Sequence, residues 1–313
     1  YGKDIQTTVN INITGGTING NVYGGGYGYT EYLTEAVTAD DGGALYGNSN
    51  IIIDGNPTIN GNIYAAGCGY DSSSKPELAQ MIGTSNIEIN GAPIIQGQIF
   101  GAGQGISGYD EMAKFTGNSN ITIKTDLSTE VYGGGNISIA EGNTYINIET
   151  GTHTGDIYGG GNLGIIEGTT NVKINGGTQN RVFGGGNQAE VTNSIVTVND
   201  GTSTEVYAGG NKASVGVTTT YINGGKVTTL FGGGNEAGVT NTKIISNRGE
   251  VTKIFGGSNT EGDVTASEIE IIGGTIGNIY GGNNQGGTTV TTNINVKGGN
   301  VGNVYGGGDQ AAS

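Results

Sequence analysis

The chain of 313 residues has no tryptophan, one cysteine (Cys68), one histidine (His153) and three prolines. Each scarcity removes a class of protein. One cysteine cannot make an intrachain disulfide framework, and one histidine cannot build a multi-histidine metal or catalytic centre. With so little proline and no Gly-X-Y triplet, the 66 glycines do not make collagen. Basic residues are also few, 12 against 27 acidic, for a net charge of −15 at pH 7. That balance repels nucleic-acid phosphates and anionic membrane surfaces. Neutral or cationic ligands and divalent cations remain as partners. No run approaches the ~20 apolar residues of a membrane helix, so direct membrane insertion is not expected. The chain opens on Tyr1-Gly2-Lys3-Asp4 with no signal peptide, which is compatible with an export signal already removed. Little cysteine beside much Asn, Thr and Gly fits a secreted bacterial protein.

What is present is a repeat. An aliphatic residue, then Tyr or Phe, then small residues recur from Val22-Tyr23-Gly24-Gly25 to Val304-Tyr305-Gly306-Gly307. Eleven such motifs occur, and from Tyr158 onward successive rings are 24 or 25 residues apart. Short alternating segments such as Val9-Asn10-Ile11-Asn12-Ile13, Ile121-Thr122-Ile123 and Val196-Thr197-Val198 recur between them. Period two means strands with one buried face. Gly pairs such as Gly176-Gly177 and Gly224-Gly225 follow and supply sharp corners. Strand and corner at fixed length predict one solenoid domain over residues 1–313, a right-handed parallel β-helix of about eleven coils. At ~4.8 Å per coil the rod would be roughly 50 Å long.

Four residues after the ring stand Asn136, Asn162, Asn187, Asn211, Asn235, Asn259 and Asn284. An amide at one register in every coil reads as a ladder that holds the turns in step. Tyr27, Cys68 and Gln104 take that place in the first three coils, where the ladder stops. Two residues before each ring stands a polar side chain. Strict alternation then points the ring outward, as an exposed aromatic column fit for stacking on sugars. The competing reading begins the corner at the ring and turns it inward.

The first three coils are longer, with insertions over residues 27–46, 69–83 and 104–117. Falling at one place in consecutive coils, they should stack on one flank. They share Gly28-Tyr29-Thr30-Glu31, Gly69-Tyr70-Asp71 and Gly108-Tyr109-Asp110-Glu111, and Tyr32 adds a further ring. Tyrosines beside carboxylates suit a carbohydrate, with rings for stacking and carboxylates for hydroxyls. Tyr29, Glu31, Tyr32, Tyr70, Asp71, Tyr109, Asp110 and Glu111 are therefore the candidate ligand contacts, against the alternative of a decorative loop or a cap. The segment Pro76-Glu77-Leu78-Ala79-Gln80-Met81 suggests a short helix on that flank.

Catalytic motifs are absent. Paired loop carboxylates would permit a glycosidase. Lys75 and Lys114 are the only bases in the insertions, too few for the basic face of a lyase. Cys68 has no histidine neighbour and reads as a buried thiol, and His153 as a packing residue. No cofactor is implied. Calcium is the one ion to consider, through Asp40-Asp41-Gly42. Thr pairs such as Thr219-Thr220 keep no common register, which argues against an ice-binding face.

The aromatic–Gly-Gly-Gly-Asn coil with its Thr/Val/Ile strand resembles Gly-rich repeats in large surface proteins of Gram-positive bacteria, and in fold it looks like the pectate-lyase-like β-helix superfamily. The resemblance spans the whole chain but brings no catalytic residues with it. It implies an adhesin-like, non-enzymatic module on the bacterial cell surface that binds a glycan or a host surface protein. A polysaccharide hydrolase or lyase, and a spacer without a ligand, are the alternatives. Because both ends fall in mid-coil, the chain reads as an excerpt of a longer array with further domains.

Overall fold

The computed structural model describes residues 7–28, 42–69, 78–109 and 111–311. Among these residues every regular element is a strand, and the strands stack in parallel from coil to coil. The chain forms the expected parallel β-solenoid. One regular coil runs through Val191–Val198 of a first sheet, turns at residues 199–201, and follows Thr202–Tyr207 of a second sheet. It turns again at residues 208–214 and re-enters the first sheet at Val215–Ile222. The first sheet has 14 strands, and the main path of the second has eleven, from Val22–Tyr23 to Asn300–Tyr305. A three-stranded sheet of Thr17–Ile18, Thr58–Ile59 and Ile94–Ile95 covers one corner of the early coils.

The alternation read from sequence is the alternation seen. Ser194, Val196 and Val198 face inward, while Ile195 and Thr197 are half-exposed outside. The inward aliphatics of both sheets make one column of core along the rod, including Ile53, Ile123, Val182, Val206 and Ile254. A second column, Met81, Phe115, Ile166, Val191 and Val215 among others, fills the corner where the chain re-enters the first sheet. Between them runs a line of hydroxyls. Ser194 donates to Ala208 O at 2.7 Å, Thr218 to Gly232 O at 2.7 Å and Thr242 to Gly256 O at 2.6 Å. These bonds reach from the first sheet to the turn after the second and satisfy those hydroxyls, while Ser49, Ser119 and Ser267 in the same line have no hydrogen-bond partner.

Two glycine positions explain much of the glycine content. At the corner after the long strand, Gly177, Gly201, Gly225 and Gly249 take φ of +75°, +85°, +67° and +86°, which a β-carbon disfavours. In the Gly-Gly-Gly run, the middle glycine lies beneath the second apolar column. A β-carbon on Gly185 would stand 2.6 Å from Val215 Cγ2 and 2.7 Å from Gly210 N. The close approach of backbone to core is the reason for glycine there.

The aromatic column is where the alternation misleads. The rings stack in an unbroken series from Tyr23 to Tyr305, with centroids 4.6 Å apart at Phe183–Tyr207 and 5.1 Å at Phe231–Phe255. Tyr207 donates to Glu205 Oε2 at 3.0 Å and Tyr132 to Glu130 Oε2 at 3.0 Å. Residues i and i+2 share a strand face, so the rings do leave the strand on the side of those polar neighbours. They are nonetheless buried: Tyr64, Phe100, Tyr132, Phe183 and Tyr207 are at most 1 % exposed. Each ring face is covered by the rings above and below. One edge lies under the polar residue two positions back, and Asn259 Nδ2 reaches Tyr207 Oη at 3.1 Å from the other side. The expected exposed sugar platform is therefore a third buried column. Burial raises the pKa of Tyr132, Tyr158 and Tyr207 further above the usual phenol range.

His153 is buried in the main column, 2 % exposed, at the register filled by Gln179 in the next coil. One ring nitrogen, Nε2, lies 3.0 Å from Thr150 O, and Nδ1 has no partner. Burial depresses its pKa. The native state therefore holds His153 neutral while the unfolded chain protonates it near the ordinary value of about 6.5. Its stabilising contribution is present above that pH and is lost as pH falls toward the depressed native value. The melting temperature should drop between pH 7.5 and 5.5, and His153→Gln should flatten that part of the profile; equal slopes in both proteins would refute the assignment. Gly185→Ala should destabilise the rod by about 1–3 kcal/mol through overpacking against Val215, read as a lower denaturant midpoint.

Candidate functional site

Three surfaces carry enough polar chemistry to consider: the insertions, the flank of the aromatic column and the outer face of the first sheet. Of the sequence-predicted contacts, Tyr29, Glu31, Tyr32, Tyr70, Asp71 and Asp110 lie outside the described residues, as do Asp40 and Asp41. The stems of the insertions are described, and they stack. Tyr27–Gly28 pairs with Cys68–Gly69, and Ala113 N–H donates to Leu78 O at 2.8 Å. Gly28 and Gly69 are close-approach positions: a β-carbon would meet Leu78 Cβ at 2.7 Å and Met112 Cγ at 2.6 Å. So the shared glycine of two motifs is explained by packing against the return leg of the next coil. Leu78-Ala79 is a turn and Met81–Ile82 a strand, in place of the expected helix. Ala79 and Ala113 hold φ of 58° and 55°, the left-handed region, which turns the chain sharply back into the first sheet.

Tyr109 is half-buried and is held by an antiparallel bridge to Ile106. Glu111 is not a free carboxylate. Lys114 Nζ lies 2.8 Å from Glu111 Oε2 and 2.6 Å from Glu141 Oε1, bridging the third insertion to the fourth coil. That contact holds the Glu141 pKa below the usual carboxylate range. Cys68 is buried, its Sγ 3.4 Å from Gln104 Oε1, and burial pushes the thiol pKa up, which suits packing and not nucleophilic attack.

On the second sheet, Asp156 is 7 % exposed and fully engaged. Arg181 Nε donates to Asp156 Oδ1 at 2.9 Å, Tyr158 Oη to Oδ2 at 3.2 Å, and the guanidinium lies 5.6 Å from the Phe183 ring centroid. This pairing ties coils together and keeps the carboxylate buried. The Asn136 to Asn284 series also ties coils together. Asn162 Nδ2 donates to Asn136 Oδ1 at 2.9 Å, and the same bond recurs through Asn187, Asn211, Asn235, Asn259 and Asn284 at 2.8–2.9 Å.

The outer face of the first sheet carries a second amide row, and this one lines an open trough. Asn10, Asn50, Asn86 and Asn120 align in register, and each Nδ2 donates to the preceding Oδ1 at 2.8–3.0 Å. An amide offers two hydrogens and two lone pairs, so each interior member keeps one of each for another partner. The column continues through the half-buried Tyr145 and Asn171. Ile52, 39 % exposed, and Glu88 stand beside it. These residues line a trough of about 320 Å³. In the same register farther along, Thr219, Lys243, Glu268 and Asn293 line a second cleft of about 430 Å³, with Val217 and Asn241 on its other wall. The carboxylates are neutralised from neighbouring coils: Lys124 lies 2.5 Å from Glu88 and Lys243 3.1 Å from Glu268. The Lys124 ammonium holds the Glu88 pKa low.

This face was missed in the sequence because its ladder spans unequal coils, with spacings of 40, 36 and 34 residues. Aligning the coils on Ile51, Ile87 and Ile121 would have revealed it. Among the described residues no three His, Cys, Asp or Glu side chains gather to hold a metal ion. No protein-family model matches the chain, and no curated protein or solved structure matches it significantly. Replacing Lys114 with methionine should raise the Glu141 pKa toward the ordinary carboxylate value of about 4.3, followed by NMR titration of the side-chain carboxyl. An unmoved titration would mean that the bridge does not form in solution.

Proposed function

We propose that the chain is a non-enzymatic, adhesin-like module of a bacterial cell surface, of the Gly-rich Gram-positive kind, and that it binds an extended glycan. The observation that carries the reading is the row of half-satisfied amides on the outer face of the first sheet. Asn50 and Asn86 offer a donor and an acceptor per coil, and Asn120 an acceptor, at a spacing of about 4.8 Å, close to the advance of one sugar unit in an extended chain. Tyr145 ends this row with a ring on which a pyranose can stack. Paired charges beside the row favour a neutral, hydroxyl-rich ligand over an anionic one. Tyr29, Tyr70 and Tyr109 of the insertions, whose sequences run into the strands of this face, are further contacts in the same proposal. Binding is favoured over cleavage because a general acid must be protonated at its working pH, and Lys124 drives Glu88 the other way.

A glycan array probed with the whole chain, with and without calcium, tests the reading. Saturable binding to one class of neutral polysaccharide is expected. Tyr145→Ala should weaken it about three- to tenfold, in line with the worth of one stacked ring. Loss in a Tyr29/Tyr70/Tyr109 triple alanine variant, with Tyr145→Ala unchanged, would move the site to the insertions. Silence across the array would overturn the glycan reading and leave a protein-binding adhesin or a spacer.

A further inference from the structure

The corner that joins the first sheet to the second changes length along the rod. From Ile53 to Ile63 and from Ile89 to Ile99 the chain takes ten steps; from Ile123 to Val131 it takes eight, by subtraction of the residue numbers. The longer corners make the strands Thr58–Ile59 and Ile94–Ile95, and the small sheet ends with the latter.

That end is an open edge inside the rod. Ile94 N–H donates to Pro57 O at 2.8 Å and Gln96 N–H to Ile59 O at 2.9 Å, so both face the preceding coil. Strand geometry turns the N–H and C=O of Ile95 the opposite way, toward the fourth coil. The fourth coil supplies no strand there. Leu127 bridges forward to His153, its N–H donating to Thr152 O at 3.1 Å and its carbonyl accepting from Thr154 N–H at 3.1 Å. The backbone ladder is thus broken between the third and fourth coils at this corner. On either side of the break the two coils are joined by hydroxyls: Thr125 Oγ1 donates to Gly91 O at 2.5 Å, and Thr129 Oγ1 to Gly97 O. Between them lies a cleft of about 480 Å³, walled by Pro93, Ile94, Gln96, Leu127, Ser128 and Thr154. Ile94 is 59 % exposed on its lip.

We infer that this cleft takes an extended segment of another protein, added as the missing strand of the small sheet. A strand is the occupant that fits because it alone carries a backbone donor and acceptor at the spacing Ile95 presents. Its alternate side chains point outward beside the exposed Ile94, Ser128 and Thr154, and inward toward the buried Leu127. Asp126, exposed on the rim, favours a basic residue next to that segment. The cleft is separate from the amide row of the first sheet and does not depend on a glycan being bound there.

The test uses a fluorescein-labelled hexapeptide, acetyl-Asn-Pro-Thr-Ile-Asn-Gly, the sequence of residues 56–61, which already pairs with the opposite edge of Ile94–Ile95. Anisotropy should rise saturably with the whole chain. Ile94→Lys, at an exposed position, should weaken binding about tenfold while leaving the melting curve unchanged, since a charge on an edge blocks pairing. The same peptide N-methylated at its Thr and second Asn amides, the two that face the preceding coil in the rod, should also lose about tenfold, because it cannot donate to the edge. Absence of saturable binding to the wild-type chain overturns the inference. Equal binding of the N-methylated peptide overturns it as well, because side-chain capture is then all that occurs.

Discussion

Everything in this rod follows from one constraint: each group must find its partner one coil away, in register, at the strand spacing of about 4.8 Å. Backbone amides obey it in both sheets, and side chains of several chemistries obey it in turn. Aliphatics make two core columns, rings make a third, and amides make ladders. Among the described residues no helix is available to bury a side chain that breaks step. A residue is therefore tolerated at a given register when it interacts well with a like residue above and below it. Phe and Tyr interchange in the ring column because stacking asks only for a flat face. Asn persists because it is both donor and acceptor, and so can bond to its own kind indefinitely.

The same constraint explains why the architecture could be read from sequence and the surface could not. Spacing of the rings, alternation of Val and Ile, and the Gly pairs are all periodic, and periodicity is what a sequence displays. Burial of the rings is not periodic information. Alternation gave the side of the strand from which Phe183 and Tyr207 project, but their cover comes from neighbouring coils and from Asn259, two coils on. The ladder of Asn10, Asn50, Asn86 and Asn120 was hidden for the opposite reason: its structure is regular while its sequence spacing is not. The insertions drew attention through their Tyr and acidic residues, yet the structure shows that Gly28 and Gly69 answer to packing, and that Glu111 belongs to an ion-paired bridge.

Charge follows the same logic. A chain of net charge −15 would repel itself if its acids faced one another along the axis. Instead several acids meet a lysine or arginine in an adjacent coil, as in Lys124–Glu88, Lys226–Glu250 and Arg181–Asp156. The exposed pairs contribute little individually. At Arg181 they also mark register, because the acids Asp156 and Glu205 stand on either side of it.

Register also decides where a solenoid can acquire function. A coil that matches its neighbours at every position satisfies all its groups internally and has nothing left to offer. Function must therefore arise where matching is incomplete. The outer amide row is incomplete because Asn50 and Asn86 spend only half their capacity on their neighbours and the row lines an open trough. The corner at Ile94–Ile95 is incomplete because the next coil is two steps too short to continue the sheet. The first leaves side-chain donors and acceptors for a hydroxyl-rich chain, and the second leaves backbone groups for a strand. Both are cheap changes for a repeat protein: one keeps an ordinary ladder residue on the outside of a strand, and the other shortens a corner in one coil. Neither disturbs the three buried columns, which run past both places without interruption.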